Sequence, residues 1–286
     1  MTVFTNKIDF AVLFTVEKAN PNGDPLASNL PRTDNYGYGE VSDVCIKRKI
    51  RNRLQDMGEK IFVQSDDRCD DGFKSLSERA KADPDLKAAQ KSKDEQAYAE
   101  AACKRWIDVR TFGQVFAFKD KDKSGVSIGV RGPVSIRTAE SITPVLTSSM
   151  QITKSVNGEP SESRDSSTMG MKHRVDFGLY VFKGSINHQL AEKTGFSEED
   201  AEKIKEALCS LFVNDASSAR PEGSMEVCKV YWWKHNCPMG QYNSAKVHRS
   251  LKIKLKEGCM DPMSFDDFDI SIEPLENLEL EIYDGI

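Results

Sequence analysis

The order of pattern elements predicts an α+β fold, a split βαβ sandwich in the ferredoxin-like layout that RNA-recognition motifs also use. Three observations lead there. An alternating apolar strand near the N-terminus passes through a long loop into an amphipathic helix; further strands and a second amphipathic helix follow past the middle of the chain; and no period of 20–50 residues repeats, which argues against a solenoid or propeller. At 286 residues, 38% apolar and 30% charged, the chain has enough material to bury a sizeable core as one elaborated domain or two, and 1–286 is read as one.

The first strand is read over Ile8 to Glu17, where Ile8, Phe10, Val12, Phe14 and Val16 alternate with more mixed residues. Ala19 to Glu40 then forms a loop rich in Asn, Pro and Gly, too long for a routine connection and therefore a candidate for function. Ile46, Ile50 and Leu54 repeat at i, i+4, i+8 and predict a helix with one buried stripe, capped by Ser42 with Asp43 in its first turn. The same helix carries Lys47, Arg48, Lys49, Arg51 and Arg53, five cations in seven residues without a carboxylate among them. At about 100° per residue, Lys47 and Arg51 fall on one flank, Lys49 and Arg53 on the other, and Arg48 and Asn52 point away from the core. One ligand cannot easily reach all five. Lys47, Arg48 and Arg51 are the favoured phosphate contacts, with a solvated helix face as the competing reading.

Residues 75–107 read as a charge-rich helical insertion interrupted at Asp83-Pro84. Val126 to Thr138 is strand-like with a Gly132-Pro133 break, implying a bent strand or two short ones. Met150 to Arg174 turns polar around a hairpin-type Asn157-Gly158 and a Ser-rich patch at 161–168, which predicts an exposed β projection. Val175 to Lys183 is a strand, and Phe196 to Phe212 a helix with a capping-box pattern at Ser197 and Asp200. Met225 to Trp233 is another strand. Ser250 to Lys256 alternates strictly, with Leu251, Ile253 and Leu255 inward and Lys252, Lys254 and Lys256 forming a second basic face.

Charge and cysteine usage narrow the function classes. No apolar run of about 18 residues is present, and the opening MTVFTNKIDF lacks the apolar core of a signal peptide, so no membrane partner and a cytoplasmic address are expected. Seven scattered cysteines, an odd number in a chain this long, argue for reduced thiols. The formal net charge is -5, yet Glu257 to Ile286 holds ten acidic residues and no Lys or Arg, leaving 35 acids against 40 bases in residues 1–256. Such a segment can keep a basic body soluble, cover a basic groove, or meet the basic face of a neighbouring copy.

Four stretches carry a resemblance: Asn20-Pro-Asn-Gly-Asp-Pro25, Val41 to Asn52, Asp108-Val-Arg-Thr-Phe-Gly113 and Thr168 to Tyr180. Together they resemble the backbone subunit of type I-C CRISPR Cascade complexes, of the RAMP superfamily, nearly end to end. The resemblance implies an RNA-recognition-type palm, a helical finger insertion at 60–107 and a β-hairpin thumb at 140–174. It also implies a non-catalytic subunit, without cofactor or metal, that polymerises with further copies of itself along CRISPR RNA. Other Cascade subunits, and a target DNA strand reached through guide pairing, would be its remaining partners. RNA contacts are then expected on Asn22, Gly23 and Asp24, on Ser42, and on Lys47, Arg48, Lys49, Arg51 and Arg53. On the thumb they are expected at Met150, Gln151, Lys154, Met169, Met171, Lys172, His173 and Arg174, with one of the three methionines as an apolar wedge between bases. Phosphate and shape readout suits a guide of any sequence, because base edges must stay free for pairing.

Sharper chemical readings compete with this. Asp24 is a candidate for metal-assisted RNA cleavage, against an Asx-turn residue before Pro25. His173 is a candidate proton donor in RNA processing, against the plainer reading of a solvent-facing or RNA-stacking histidine. Cys228, His235, Cys237 and His248 are candidate zinc ligands, although C-x6-H-x-C is not a familiar zinc spacing. Tyr231, Trp232 and Trp233 could stack bases, with core packing as the plainer reading. A metal-dependent RNA endonuclease of the same superfamily and a monomeric RNA-recognition module are the alternatives to the filament subunit.

Overall fold

The computed structural model of the chain describes residues 2–118, 127–153 and 169–286. Lys154, the Asn157-Gly158 turn and the Ser-rich patch at 161–168 lie outside the described residues. The elements in chain order begin with β1 (Ile8–Ala19), the two-residue strands β2 (Gly23–Asp24) and β3 (Leu30–Pro31), β4 (Tyr38–Val41) and α1 (Asp43–Asp56). The insertion follows as α2 (Leu76–Ala82), α3 (Pro84–Ser92), α4 (Glu95–Arg105) and α5 (Ile107–Phe112), then β5 (Gly113–Ala117) and β6 (Ser127–Arg131). Next come β7 (Val134–Ile136), β8 (Ala139–Pro144), β9 (Thr147–Thr153), β10 (Met169–Ile186), α6 (His188–Thr194) and α7 (Glu198–Cys209). The chain closes with β11 (Met225–Lys234), α8 (Ser244–Ser250), β12 (Leu251–Leu255), β13 (Phe268–Ile272) and β14 (Glu279–Asp284).

The class is α+β, built on an antiparallel sheet ordered β14-β11-β1-β10-β8-β4, with β7 and β9 also pairing along β10. β1 lies in its centre because it is buried on both faces. Phe10, Val12, Phe14 and Val16 enter one core with Ile46, Ile50 and Leu54 of α1 and Ala201, Ile204 and Leu208 of α7. Ala11 and Leu13 enter the other, with Val247, Leu251 and Phe268 of the C-terminal region. Phe10 stacks on Trp232 and Phe14 on Tyr180 at centroid distances of 5.6 and 5.3 Å, so cross-strand aromatic pairs help fix the register. The Ile46, Ile50 and Leu54 stripe is buried as its spacing implies. The Ser197 and Asp200 capping box is formed in full.

The sheet face opposite α1 and α7 is roofed by α8 and the β12–β13 hairpin. Tyr231 and Trp233 are buried beneath this roof, and Trp232 is buried on the helix side, so the three aromatics pack as core and offer no platform for bases. His235 is anchored through both ring nitrogens: its Nδ1 accepts the Gln241 N–H at 2.9 Å and its Nε2 donates to Asp9 at 2.9 Å. His248 donates from Nε2 to the Gly184 carbonyl at 3.1 Å, and Cys228 lies 3.9 Å from the Thr15 hydroxyl. Both ring nitrogens of His235 are thus committed to the protein. The acidic C-terminal segment contributes β13 and β14, and it pairs within its own chain: Lys234 with Glu281 at 2.5 Å, Lys229 with Asp284 at 2.5 Å and Lys252 with Glu273 at 3.6 Å.

The insertion has its own small core, in which Phe62, Tyr98, Trp106 and Phe116 cluster around Leu86 and Val109. Asp83 serves as both the last cap of α2 and the N-cap of α3, which accounts for the break at Asp83-Pro84. A buried carboxylate ties this unit to α1. Asp108 accepts the N–H groups of Phe62 and Val63 at 2.7 and 3.0 Å and Arg51 Nε at 3.0 Å. Ala139–Pro144 is a strand of the main sheet, so the hairpin leaves the sheet only at Thr147.

Asp108→Ala would leave Arg51 and two N–H groups without their acceptor, and urea unfolding should show a loss of about 3–5 kcal/mol. A loss below about 1 kcal/mol would mean that Arg51 finds solvent at little cost. A pH effect follows from His248, whose burial pushes it below the ordinary histidine range against the pull of Asp9. Above about pH 6.5 it is neutral in folded and unfolded chains alike; below that the unfolded chain takes up a proton that the fold resists, so stability falls. Thermal unfolding should show a melting temperature that drops between about pH 7 and about pH 5, and His248→Gln should flatten the drop.

Candidate nucleic-acid interface

The loop after β1 is ordered by its own side chains. Asn20 is buried and donates from Nδ2 to the Asn29 carbonyl at 2.7 Å, while the Asn29 N–H donates to the Asp24 carbonyl at 2.8 Å. A Cβ on Gly23 would sit 1.9 Å from Asn29 Oδ1, so any larger residue there would displace the Asn29 amide. Asp24 accepts the Leu26 N–H at 3.1 Å and Arg32 at 3.4 Å, which makes its carboxylate the cap of the Pro25–Ala27 turn. Asn22 reaches onward to the helix: its Oδ1 accepts both the Ser42 N–H and the Ser42 hydroxyl, at 3.0 and 2.9 Å. Ser42 Oγ in turn accepts the Cys45 N–H at 3.3 Å, so loop and helix start form one hydrogen-bonded unit.

Each of the five α1 cations has a partner in the fold. Lys47 pairs with Asp43 at 2.9 Å, Arg48 donates to the Val63 carbonyl, and Arg51 binds Asp108 with its guanidinium 5.0 Å from the Phe112 ring centroid. On the opposite flank Lys49 pairs with Asp215, and Arg53 donates to the Ser210 hydroxyl at 2.7 Å. The division into two flanks follows the helical wheel, and the cations do not share a surface.

Magnitudes rank them as ligands for an external anion. Breaking an i,i+4 helix pair such as Lys47–Asp43, half-buried on α1, costs about 0.3–0.5 kcal/mol. Stripping one partner from a buried pair costs about 3–5 kcal/mol, and Lys49 is only 4% exposed beside Asp215. Burial pushes Lys49 below its usual range against the pull of Asp215, and burial with the nearby Arg51 does the same to Arg48. Lys47 is therefore the cheapest of the five to redirect, and Lys49 and Arg51 the dearest.

The hairpin of β9 and the first half of β10 pairs Met171 with Gln151, Lys172 with Met150, His173 with Ser149 and Arg174 with Ser148. Directly opposed residues share a face, so Met169, Met171, Gln151 and His173 line one side, and Met150, Ile152, Lys172 and Arg174 the other. Met169, Met171 and Ile152 are 55%, 56% and 48% exposed, an apolar display on the hairpin surface. His173 is tied by Nδ1 to the Ser149 hydroxyl at 2.7 Å.

The structure brings the loop and the start of α1 together through Asn22 and Ser42, and it sets β3 of that loop against β10. Three cations that the run-based reading passed over stand in the same region. Arg32 lies beside Asp24, Arg220 binds the Asp215 already paired with Lys49, and Lys18 pairs with Asp176 at the hairpin base. None sits in a charge run, and only the tertiary contacts reveal them.

The family described as CRISPR-associated protein Cas7 matches residues 6–273. Over 236 residues the chain is 26% identical to the CRISPR-associated protein Cas7 of Haloferax volcanii, covering 77% of this chain and 68% of that protein. Among solved structures it is similar to a chain of a CRISPR RNA-guided surveillance complex in a pre-nicking state, with 18% identity, TM-score 0.49, and 79% and 75% of the two chains covered. A chain of another CRISPR RNA-guided surveillance complex gives 17% identity, TM-score 0.42, and coverage of 79% and 68%. The match across residues 6–273 places this chain in the Cas7 family of CRISPR-associated proteins.

Proposed function

We propose that the chain is a non-catalytic CRISPR RNA-binding subunit that polymerises along the guide to form the backbone of a type I-C Cascade surveillance complex. The family match carries this reading, and the closed sheet face agrees with it. With Tyr231 and Trp233 under the roof, nucleic acid is left to the 20–25 loop, α1 and the hairpin, whose cations, amides and apolar tips read backbone and shape. In this reading β11-β1-β10-β8 with α1 and α7 on one face is a ferredoxin-like palm. The insertion at 60–107 with its separate core is the finger, and the β9–β10 hairpin, within 140–174, is the thumb. Asn22, Gly23 and Ser42 supply close backbone approach, and Lys47 and Arg48 supply the most available charge on α1. Gln151, Lys172, His173 and Arg174 flank a wedge at Met150, Met169 or Met171, and Lys154, outside the described residues, is a further RNA contact of this reading. Guide pairing then brings in the target DNA strand, and further copies and other Cascade subunits complete the assembly. The commitment of Asp24 to its turn and of His173 to Ser149 supports a binding role over cleavage.

Titration of the purified protein against labelled CRISPR RNA with magnesium, on native and denaturing gels, tests this. Stepwise cooperative shifts with intact RNA are expected. Lys47→Ala and Arg48→Ala should each lower the log–log salt slope by about 0.7 per lost contact, whatever the RNA sequence. Cleaved RNA would establish the endonuclease instead, single-copy binding the monomeric module, and no shift at low salt would contradict all three.

A further inference from the structure

Lys18 has a backbone that its position in a strand does not explain. Six described non-glycine residues have left-handed φ values: Lys18, Ser28, Asn29, Lys93, Asn214 and Asn277. Five lie in turns or helix caps, and Lys18 alone, at φ 50°, lies inside a strand. The pairing skips Lys18 itself but keeps one register on either side, Glu17 facing Phe177 and Ala19 facing Val175, so no inserted residue forces the conformation. A residue with a Cβ adopts this region at a cost, and such outliers persist where surrounding structure holds them for a purpose.

The surroundings point to an anion. Lys18 Nζ lies 3.0 Å from Asp176 Oδ1, which also accepts the Ser148 hydroxyl at 3.0 Å and stands 3.9 Å from Arg174 Nε. Arg174 Nε donates to the same Ser148 hydroxyl at 3.1 Å. One carboxylate thus organises two cations and leaves the group net positive, with the Lys18 side chain 52% exposed. The hydrogen bond from Lys18 holds the Asp176 carboxyl below its usual range, burial opposing, so the anchor stays ionised at neutral pH. Lys18 immediately precedes the 20–25 loop, and Arg174 stands at the root of the hairpin.

We propose that Lys18, positioned by Asp176 beside Arg174, binds a phosphodiester and joins the 20–25 loop to the hairpin along one RNA backbone path. This rests on the RNA-binding reading above and adds a contact that no charge run marks. Exchange of the Asp176 oxygen for a phosphate oxygen requires no refolding, because the pair is already in solvent.

Fluorescence anisotropy with a mixed-sequence single-stranded RNA across a salt series, alongside thermal unfolding, separates this role from a structural one. Lys18→Gly relieves the left-handed backbone, so it should melt at or above the parent temperature yet lose about 0.7 from the log–log salt slope. Lys18→Gln should lose the same slope, and Lys18→Arg should keep it. Lys252→Ala, which removes an ion-paired lysine from β12, should leave the slope unchanged. An unaltered slope in both Lys18→Gly and Lys18→Gln, or an equal loss in Lys252→Ala, would overturn the inference while leaving RNA binding intact. Absence of binding by the parent protein would overturn both.

Discussion

The antiparallel pairing of β1 with β10 is the constraint on which the rest of the molecule depends. It runs from Ile8 opposite Ile186 to Ala19 opposite Val175, and the two cores lie on its two faces. β10 is longer than its partner: Met169 to Arg174 continue past the end of β1 and pair with β9 instead. At about 3.4 Å per residue, six residues carry the hairpin roughly 20 Å beyond the sheet. The same strand that packs the core therefore supplies a stiff base for the projection. The 20–25 loop leaves β1 at this junction, which is why loop, helix start and hairpin root come together at one end of the sheet.

Electrostatics in this protein consists mainly of partnered charges. The basic helix is neutralised in part by Asp43, Asp108 and Asp215, and the lysines of β11 and β12 by the C-terminal carboxylates. Such pairing offsets repulsion within a mildly basic body and leaves an external anion to compete only where the existing pair is exposed. The arrangement favours a graded, salt-sensitive interaction over a single high-affinity pocket. It also makes Arg51 a structural residue first, since its carboxylate partner holds the insertion onto α1.

Much of the fold was legible in local pattern. The alternation in β1 and β12, the i, i+4, i+8 stripe of α1 and the Ser197–Asp200 capping box each report on a neighbourhood of a few residues, and each formed as its pattern implies. The seven-residue helices α6 and α8 are too short to show a period, and the roof that α8 helps build is invisible to it. Composition leaves the acidic C-terminal segment three possible roles because it cannot see that Glu281 and Asp284 pair with Lys234 and Lys229 across two strands. For the candidate site, the run at 47–53 was easy to find, yet its partners lie at 43, 63, 108, 210 and 215. Which cation remains available is a tertiary property, and Lys18, Arg32 and Arg220 had no sequence signal beyond their charge.

Photo-crosslinking of the protein to CRISPR RNA, followed by identification of the crosslinked peptides, tests most directly where the nucleic acid runs. Crosslinks confined to residues 18–25, the exposed side of α1 and the β9–β10 hairpin, with none from Tyr231, Trp233 or the roof at 244–278, are the expected result. Crosslinks concentrated on the β11 aromatics or the C-terminal roof would contradict it, because they would require the sheet face to open and read bases directly.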